Sequence, residues 1–214
     1  SITERFSSAT APAGTEEKFN ALPAEYSHLY LAVEGELAAV ICIEDPIRPE
    51  APAVIQALKD AGISKVVMMT GDSERTARAV AARVGVDEFF AEVLPEDKAR
   101  FVEEEKAKGR RVMMIGDGIN DSPALSAADV GIAISDGAEI AREIADVTVG
   151  AEDLWQLVAL KHIGNGLMKR IHKNYRTIVG FNTGLIVLGV AGVLQPTVSA
   201  LLHNTSTLVI TLKS

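Results

Sequence analysis

The chain has 214 residues, of which 48% are hydrophobic and 23% are charged, so it can bury a core and is not a disordered polypeptide. Residues 1–150 hold 15 basic against 27 acidic side chains (net −12) and the remainder 6 against 2 (net +4), within a total charge of −8. The acidic front argues against nucleic acid as a partner, because phosphate binding needs a basic surface. The single cysteine, Cys42, excludes a disulfide framework and a cysteine-based structural metal site.

The first segment, residues 1–36, is ambiguous from its sequence. We expect it to be an edge hairpin, turning at Glu34-Gly35 between residues 29–33 and 37–40, or the tail of a preceding domain. The chain begins at Ser1 without an initiating methionine or a leader, so we expect a piece of a longer protein.

Residues 37–153 alternate short apolar runs with amphipathic helical stretches, which is typical of a Rossmann-like α/β fold with a parallel sheet. The predicted strands are 38–43, 65–69, 112–115 and 130–134, with 90–93 as a further short one. The predicted helices are 51–60, 73–84, 96–108 and 121–127.

The charge and hydrophobicity of the sequence change near its end. Residues 154–176 predict a basic helix beside a membrane, and Thr177 to Leu212 contains no charged side chain. Two transmembrane helices are therefore predicted in 177–214, interrupted at Gln195-Pro196, with a buried soluble hairpin as the alternative. The basic residues before the first span place the preceding domain in the cytoplasm by the positive-inside tendency.

Polar residues follow the predicted strands, where the chemistry of open α/β sheets gathers. Thr70, Gly71 and Asp72 follow one strand and suit the binding of phosphoryl oxygens, although ordinary helix capping would use the same residues. Asp117, Asn120 and Asp121 follow another, and this crowding of oxygen ligands predicts a magnesium site.

Lys98 lies in the first turn of the helix that begins at Pro95. A lysine there could reach a phosphoryl group, but by itself it is typical of a solvated helix face.

The order Thr70, Lys98 and GDGIND at 116–121 resembles the motif order of the haloacid dehalogenase-like phosphotransferases. The segments MTGDSERTA, LPEDK, MIGDGINDSPAL and AADVGIAI are similar to the phosphorylation domain of P-type ATPases, in particular the heavy-metal branch. Asp45-Pro46-Ile47-Arg48-Pro49 resembles the hinge after the nucleotide domain of that family.

The resemblance implies a role for each matching residue. Asp117 would bind magnesium, and Thr70 and Lys98 would contact the transferred phosphoryl group. Asn120 and Asp121 would support the phosphate site, Asp72 would order its loop beside Gly71, and Asp45 and Arg48 would link nucleotide closure to the hinge. The implied cofactors are magnesium and ATP, and the implied partners are a transition metal ion, membrane lipid and upstream domains of the same polypeptide.

The sequence contains no Asp-Lys-Thr-Gly-Thr, the motif that carries the phosphorylated aspartate in that family. We therefore expect part of an ATP-driven metal pump that is inactive alone. The alternatives are a membrane-anchored haloacid dehalogenase-like phosphatase with an unrecognised nucleophile and a non-catalytic remnant domain.

Polar residues in the apolar segment are candidate ligands for the transported ion. Asn182, His203 and Asn204 are these candidates, and interhelical hydrogen bonding is an equal alternative for the last two. Copper, zinc, cadmium, cobalt and nickel all remain open. The resemblance implies an integral protein of a prokaryotic plasma membrane, with its phosphorylation domain in the cytoplasm.

Overall fold

A computed structural model describes residues 17, 21–22, 26–34, 36–43, 46–117, 120–134, 143–150 and 153–213. The chain divides into two compact units, Ser1–Val158 and Ala159–Ser214. No finding tests the finer domain boundaries at residues 36, 153 and 176, which stay predictions.

The first described strands form a hairpin. β1 (Ser27–Val33) pairs antiparallel with β2 (Glu36–Ile43), and Glu34 in the turn takes a positive φ of 52°. The expected hairpin is thus present. The prediction that 38–43 is a strand of the parallel sheet is wrong, because β2 pairs only with β1 among the described strands.

The α/β core consists of parallel strands joined by helices, as predicted. β3 (Val67–Met69) pairs with β4 (Glu88–Phe90), and β5 (Met113–Gly116), β6 (Val130–Ile134) and β7 (Val147–Val149) form a second sheet in that order. The helices are α1 (Ala51–Asp60), α2 (Glu74–Val84), α3 (Pro95–Ala107) and α4 (Ser122–Ala127). β4 begins before the predicted 90–93, and β7 was not predicted from the sequence.

Local signals fix the helix boundaries. Ser73 caps α2 by accepting the N–H of Thr76 at 3.3 Å, and Gly85 ends that helix with a φ of 78°. Pro95 starts α3, where its missing N–H carries no penalty.

A cluster of buried side chains holds α3, α4 and the second sheet together, and it comprises Val102, Met114, Ala124, Leu125 and Ala133. Gly131 permits this packing, because a Cβ at that position would lie 2.6 Å from the carbonyl oxygen of Leu125. Met69 at the end of β3 also packs against the cluster. The core therefore lies directly beneath the ends of β3 and β5.

The second unit contains helix rather than sheet. α5 (Trp155–Val190) begins in the first unit and continues through the predicted basic helix without a break, and α6 (Pro196–Lys213) follows. No helix in the described part of the chain is long and apolar enough to cross a membrane, so the expected transmembrane hairpin is not found. In α5 the uncharged stretch that starts at Thr177 stops being helical after Val190, and in α6 polar side chains at 203–207 lower the hydropathy.

Candidate active site

Thr70 lies directly after β3 and closes a compact loop. Its hydroxyl donates to Oδ2 of Asp72 at 2.6 Å, and the Asp72 N–H donates back to the Thr70 Oγ1 at 3.1 Å. The side chain of Thr70 is half-buried, whereas Gly71 and Asp72 are exposed. The loop therefore presents a hydroxyl, a carboxylate and backbone groups at the carboxyl end of the strand.

Backbone hydrogen bonds tie this loop to the segment after β4. The N–H of Thr70 donates to the carbonyl of Phe90, and the N–H of Val93 donates to the carbonyl of Thr70, both at 3.0 Å. The N–H of Glu92 donates to the carbonyl of Asp72 at 2.9 Å. The loop is thus fixed to the chain that leads directly into α3 and Lys98.

Lys98 and Asp121 form an ion pair, with 2.7 Å between Nζ and Oδ1. The two side chains are only 16% and 12% exposed. Lys98 comes from the first turn of α3 and Asp121 from the residue before α4, so the pair joins segments 23 residues apart. The interpretation of Lys98 as a solvated helix residue is wrong, because the lysine is largely removed from water and paired.

Gly116 makes room for this carboxylate. A Cβ at position 116 would lie 2.5 Å from Oδ2 of Asp121 and 2.7 Å from its Cβ, distances that real Cβ atoms do not show. Gly116 is the first glycine of the GDGIND motif. At Gly116 the group that approaches is a side chain of the same loop, a role that the sequence did not reveal.

Asp117 directly follows β5 and is exposed, in contrast to the buried Asp121. Its Oδ1 accepts the N–H of Asn120 at 3.2 Å. No group of three or more His, Cys, Asp or Glu side chains that could hold a metal ion occurs among the described residues. This donor set still fits magnesium, which is commonly held by one or two carboxylates while water and phosphate oxygens complete its coordination.

Of the two predicted hinge residues, only Arg48 belongs to the described part of the chain. Asp45 lies outside the described residues. Arg48 lies before α1, and its guanidinium is 3.9 Å from a carboxylate oxygen of Glu50 at the protein surface. Their predicted link to nucleotide closure is not tested.

The candidate ligands in the second unit show a different pattern. Nδ1 of His203 on α6 lies 2.8 Å from Oδ1 of Asn182 on α5, which is an interhelical hydrogen bond. The hydroxyls of Ser206 and Thr207 donate to the carbonyl of His203 at 2.9 and 3.0 Å. Asn204 is exposed on α6. The structure thus brings Asn182 and His203 together, as the hydrogen-bonding alternative predicts for His203.

Three aspartates brace the opposite, amino-terminal ends of the strands. Oδ2 of Asp87 accepts the N–H of Val66 at 2.7 Å, and Oδ2 of Asp129 accepts the N–H of Val112 at 2.9 Å. Asp146 accepts the N–H of Gly131 at 2.8 Å in the same way. Each aspartate directly precedes a strand, a pattern that is visible in the sequence but lies outside the predicted site residues.

Two of these carboxyl groups have a lowered pKa. A hydrogen bond from Lys59, then one from the N–H of Val66, lowers the pKa of Asp87. A hydrogen bond from the N–H of Val112 is the main cause that lowers the pKa of Asp129, and a hydrogen bond from the side chain of Arg111 lowers it further. These interactions favour the ionised carboxylates and thereby the strand pairs that they brace.

Comparisons with known proteins identify the family of this chain. A family model described as haloacid dehalogenase-like hydrolase matches residues 4–129. The zinc-exporting P-type ATPase of Mycobacterium marinum is 41% identical over 187 residues, 87% of this chain and 26% of that protein. The copper-transporting P-type ATPase of Rhizobium leguminosarum bv. viciae is 44% identical over 195 residues, 89% of this chain and 23% of that protein.

A solved structure extends the likeness to the fold. The crystal structure of a zinc-transporting PIB-type ATPase in its E2·Pi state superposes with a TM-score of 0.75 at 31% identity, covering 94% of this chain and 33% of that one. The chain spans about a quarter of the length of the curated relatives that it matches. The chain belongs to the haloacid dehalogenase-like hydrolases, and its relatives within that family are heavy-metal P-type ATPases.

Proposed function

We propose that this chain supplies part of the phosphorylation site of an ATP-driven transition-metal pump. The observation that carries the proposal is the Lys98–Asp121 pair, which sets a largely buried cation beside the loop that bears Asp117. Phosphoryl transfer needs such positioned charge, because little covalent chemistry is left for the protein beyond the nucleophile.

The proposed reaction forms an acyl phosphate. An aspartate carboxylate attacks the γ-phosphorus of ATP, the bond to the ADP oxygen breaks, and water later hydrolyses the acyl phosphate to inorganic phosphate. The hydroxyl of Thr70 and the ammonium of Lys98 would bind the equatorial oxygens of the group in transfer. Asp72 would hold the hydroxyl of Thr70, to which it is already hydrogen-bonded.

Asp121 is proposed as a positioning residue for Lys98. It holds the ammonium by one carboxylate oxygen, while Gly116 accommodates the rest of the carboxylate. Asp117 would be the ligand of magnesium, with Asn120 ordering that loop through its N–H. When bound, magnesium would neutralise charge on the phosphate oxygens.

In the described part of the chain, the two parallel sheets have free strand edges at which the strand that carries the nucleophile would pair. Among the described strands, β3 pairs only with β4, and β5 pairs only with β6, so each has one edge without a strand partner. We propose that a strand carrying the phosphorylated aspartate pairs between β3 and β5. Its carboxyl end would then lie between Thr70 and Asp117, which follow these two strands.

The transported ion and the membrane also belong to this proposal. The pump relatives are named for zinc, manganese and copper, so the transported ion is proposed only as a transition metal. Asn182 accepts a hydrogen bond from Nδ1 of His203, which leaves Nε2 of His203 as the ligand atom. Asn204 is kept as a further candidate. The pump would be an integral membrane protein with its phosphorylation domain in the cytoplasm, and Asp45 and Arg48 would act at the hinge to an ATP-binding domain.

A chimeric pump tests the proposed function. The segment of the Mycobacterium marinum relative that matches this chain is replaced by the chain, and magnesium-dependent transfer of the γ-phosphate of ATP to the protein is measured. We expect a hydroxylamine-sensitive phosphoprotein in the chimera. Lys98→Met and Asp117→Asn should each reduce its rate of formation by about 10²–10³-fold, the usual effect of removing one preorganised electrostatic group.

Lys108→Met is the matched control, because Lys108 is 57% exposed just after the end of α3 and pairs with Glu105. A chimera that transfers phosphate equally well with and without Lys98 and Asp117 would contradict the proposal. The unmodified chain, assayed with p-nitrophenyl phosphate and magnesium, should show no turnover. Sustained turnover would instead favour the phosphatase alternative.

A further inference from the structure

One face of α5 is strongly basic. Lys169, His172, Lys173 and Arg176 occupy positions i, i+3, i+4 and i+7 and therefore lie on the same side of the helix. Together with Asn165 and Thr177 they line an open recess of about 770 Å³. Lys169, Lys173 and Arg176 are all exposed.

This positive charge is not balanced by its own segment. The sequence contains no Asp or Glu after Asp153. Within the described part of the chain, none of Lys169, Lys173 and Arg176 forms a salt bridge with a carboxylate. The face therefore has the charge needed to bind an anion.

Apolar side chains follow the basic face at once. No charged residue occurs from Thr177 to Leu212, and Val179, Phe181 and Ile186 are exposed on α5 by 44%, 41% and 65%. A soluble phosphate or a nucleic acid would use only the cations. An anionic phospholipid would contact both the basic face and the apolar side chains that follow it. Its headgroup phosphate would bind the cations, and its acyl chains would contact the apolar side chains.

We propose that the basic face of α5 binds the headgroups of anionic phospholipids, with Lys169, Lys173 and Arg176 contacting the lipid phosphates. Nδ1 of His172 lies 2.7 Å from the carbonyl of Met168, which holds the imidazole along the wall of the same recess. This inference concerns α5 alone and does not depend on phosphoryl transfer.

The test is flotation of the full chain with two kinds of vesicle. One is phosphatidylcholine alone, and the other contains phosphatidylglycerol as well. Apolar side chains contribute to binding in both cases, so the readout is the ratio of the two affinities. We expect a preference for the anionic vesicles that weakens as the salt concentration rises.

The combined variant Lys169→Gln, Lys173→Gln and Arg176→Gln should reduce this ratio on the order of 100-fold, because each cation near an anionic surface contributes about fivefold. The control carries Arg78→Gln, Arg83→Gln and Arg100→Gln, which remove the same charge from exposed positions on α2 and α3. It should keep the ratio of the unmodified chain.

Several outcomes would overturn the proposal. Equal affinity of the unmodified chain for both vesicles would do so, as would an unchanged ratio in the combined variant. Competition by millimolar inorganic phosphate at constant ionic strength would reassign the face to a soluble anion. Competition by an RNA oligonucleotide, with the anionic preference lost, would reassign it to nucleic acid.

Discussion

Gly116 and Asp121 are in contact at a distance that no other residue at position 116 would allow. A Cβ there would lie within 2.7 Å of both Oδ2 and Cβ of Asp121. The carboxylate is thereby held over the end of β5, where it meets Lys98 from the neighbouring helix. Glycine at position 116 thus leaves room for the carboxylate that pairs with Lys98.

Gly116→Ala should lower the free energy of unfolding by about 1–3 kcal/mol, the usual effect of overpacking a close contact. Gly71→Ala is the matched control, because the nearest atom to a Cβ there is the Val93 carbonyl oxygen at 3.9 Å. Urea denaturation followed by circular dichroism measures both. Equal stability of the two variants would show that the loop relaxes around a methyl group.

Removing one member of the Lys98–Asp121 pair should destabilise the chain by about 1.5–3 kcal/mol, because the remaining charge keeps little access to water. Lys98→Met and Asp121→Asn are the single variants. The double variant should lose clearly less than the sum of the two, since it leaves no unpaired charge. A double-mutant cycle by urea denaturation measures this coupling, and strict additivity would argue against the ion pair.

Asp129 should make stability depend on acid pH. Its pKa is lower in the folded chain than the ordinary value of 3.8, so the folded state favours the ionised form. This contribution is fully present well above pH 3.8 and is lost as the pH falls from there through the lowered pKa of the folded state. Asp129→Asn should therefore destabilise the chain near neutral pH, and the difference should shrink below pH 3.8.

The control for Asp129 is Asp60→Asn at the end of α1, where the carboxylate accepts a hydrogen bond only four residues away, from Gln56. Thermal unfolding at a series of pH values compares the three proteins. A difference between Asp129→Asn and the unmodified chain that stays constant from neutral pH to pH 2 would contradict the expected linkage.

His203 should be required for binding of a transition metal, because its Nε2 is the proposed ligand atom. In the full chain in detergent, His203→Gln should abolish high-affinity binding of a transition metal. Asn182→Ala should weaken it by about 10–100-fold, as the loss of a partner that orients a ligand does. His162→Gln, on the exposed surface of α5, is the control. Unchanged affinity in His203→Gln, measured by calorimetry, would leave the pair as a structural hydrogen bond.

Local sequence patterns determined where several helices and strands of this protein lie. The helix at 51–60 and the strand at 130–134 lie where hydrophobic periodicity predicts them, and α3 begins at Pro95 as expected. The positions of Thr70 and Asp117 could be predicted as well. Polar residues directly after apolar strands lie at the carboxyl edge of a parallel sheet whatever the remaining structure does.

Tertiary structure alone decided what these residues contact. A sequence does not show that Lys98 pairs with Asp121, because the two are 23 residues apart and meet only when α3 and α4 pack on one core. The sequence indicated the hairpin of β1 and β2, but it also assigned 38–43 to the parallel sheet, and only the structure distinguishes these two pairings. Burial and pairing are properties of distant segments brought together, whereas helix ends and strand runs are properties of neighbours in the chain.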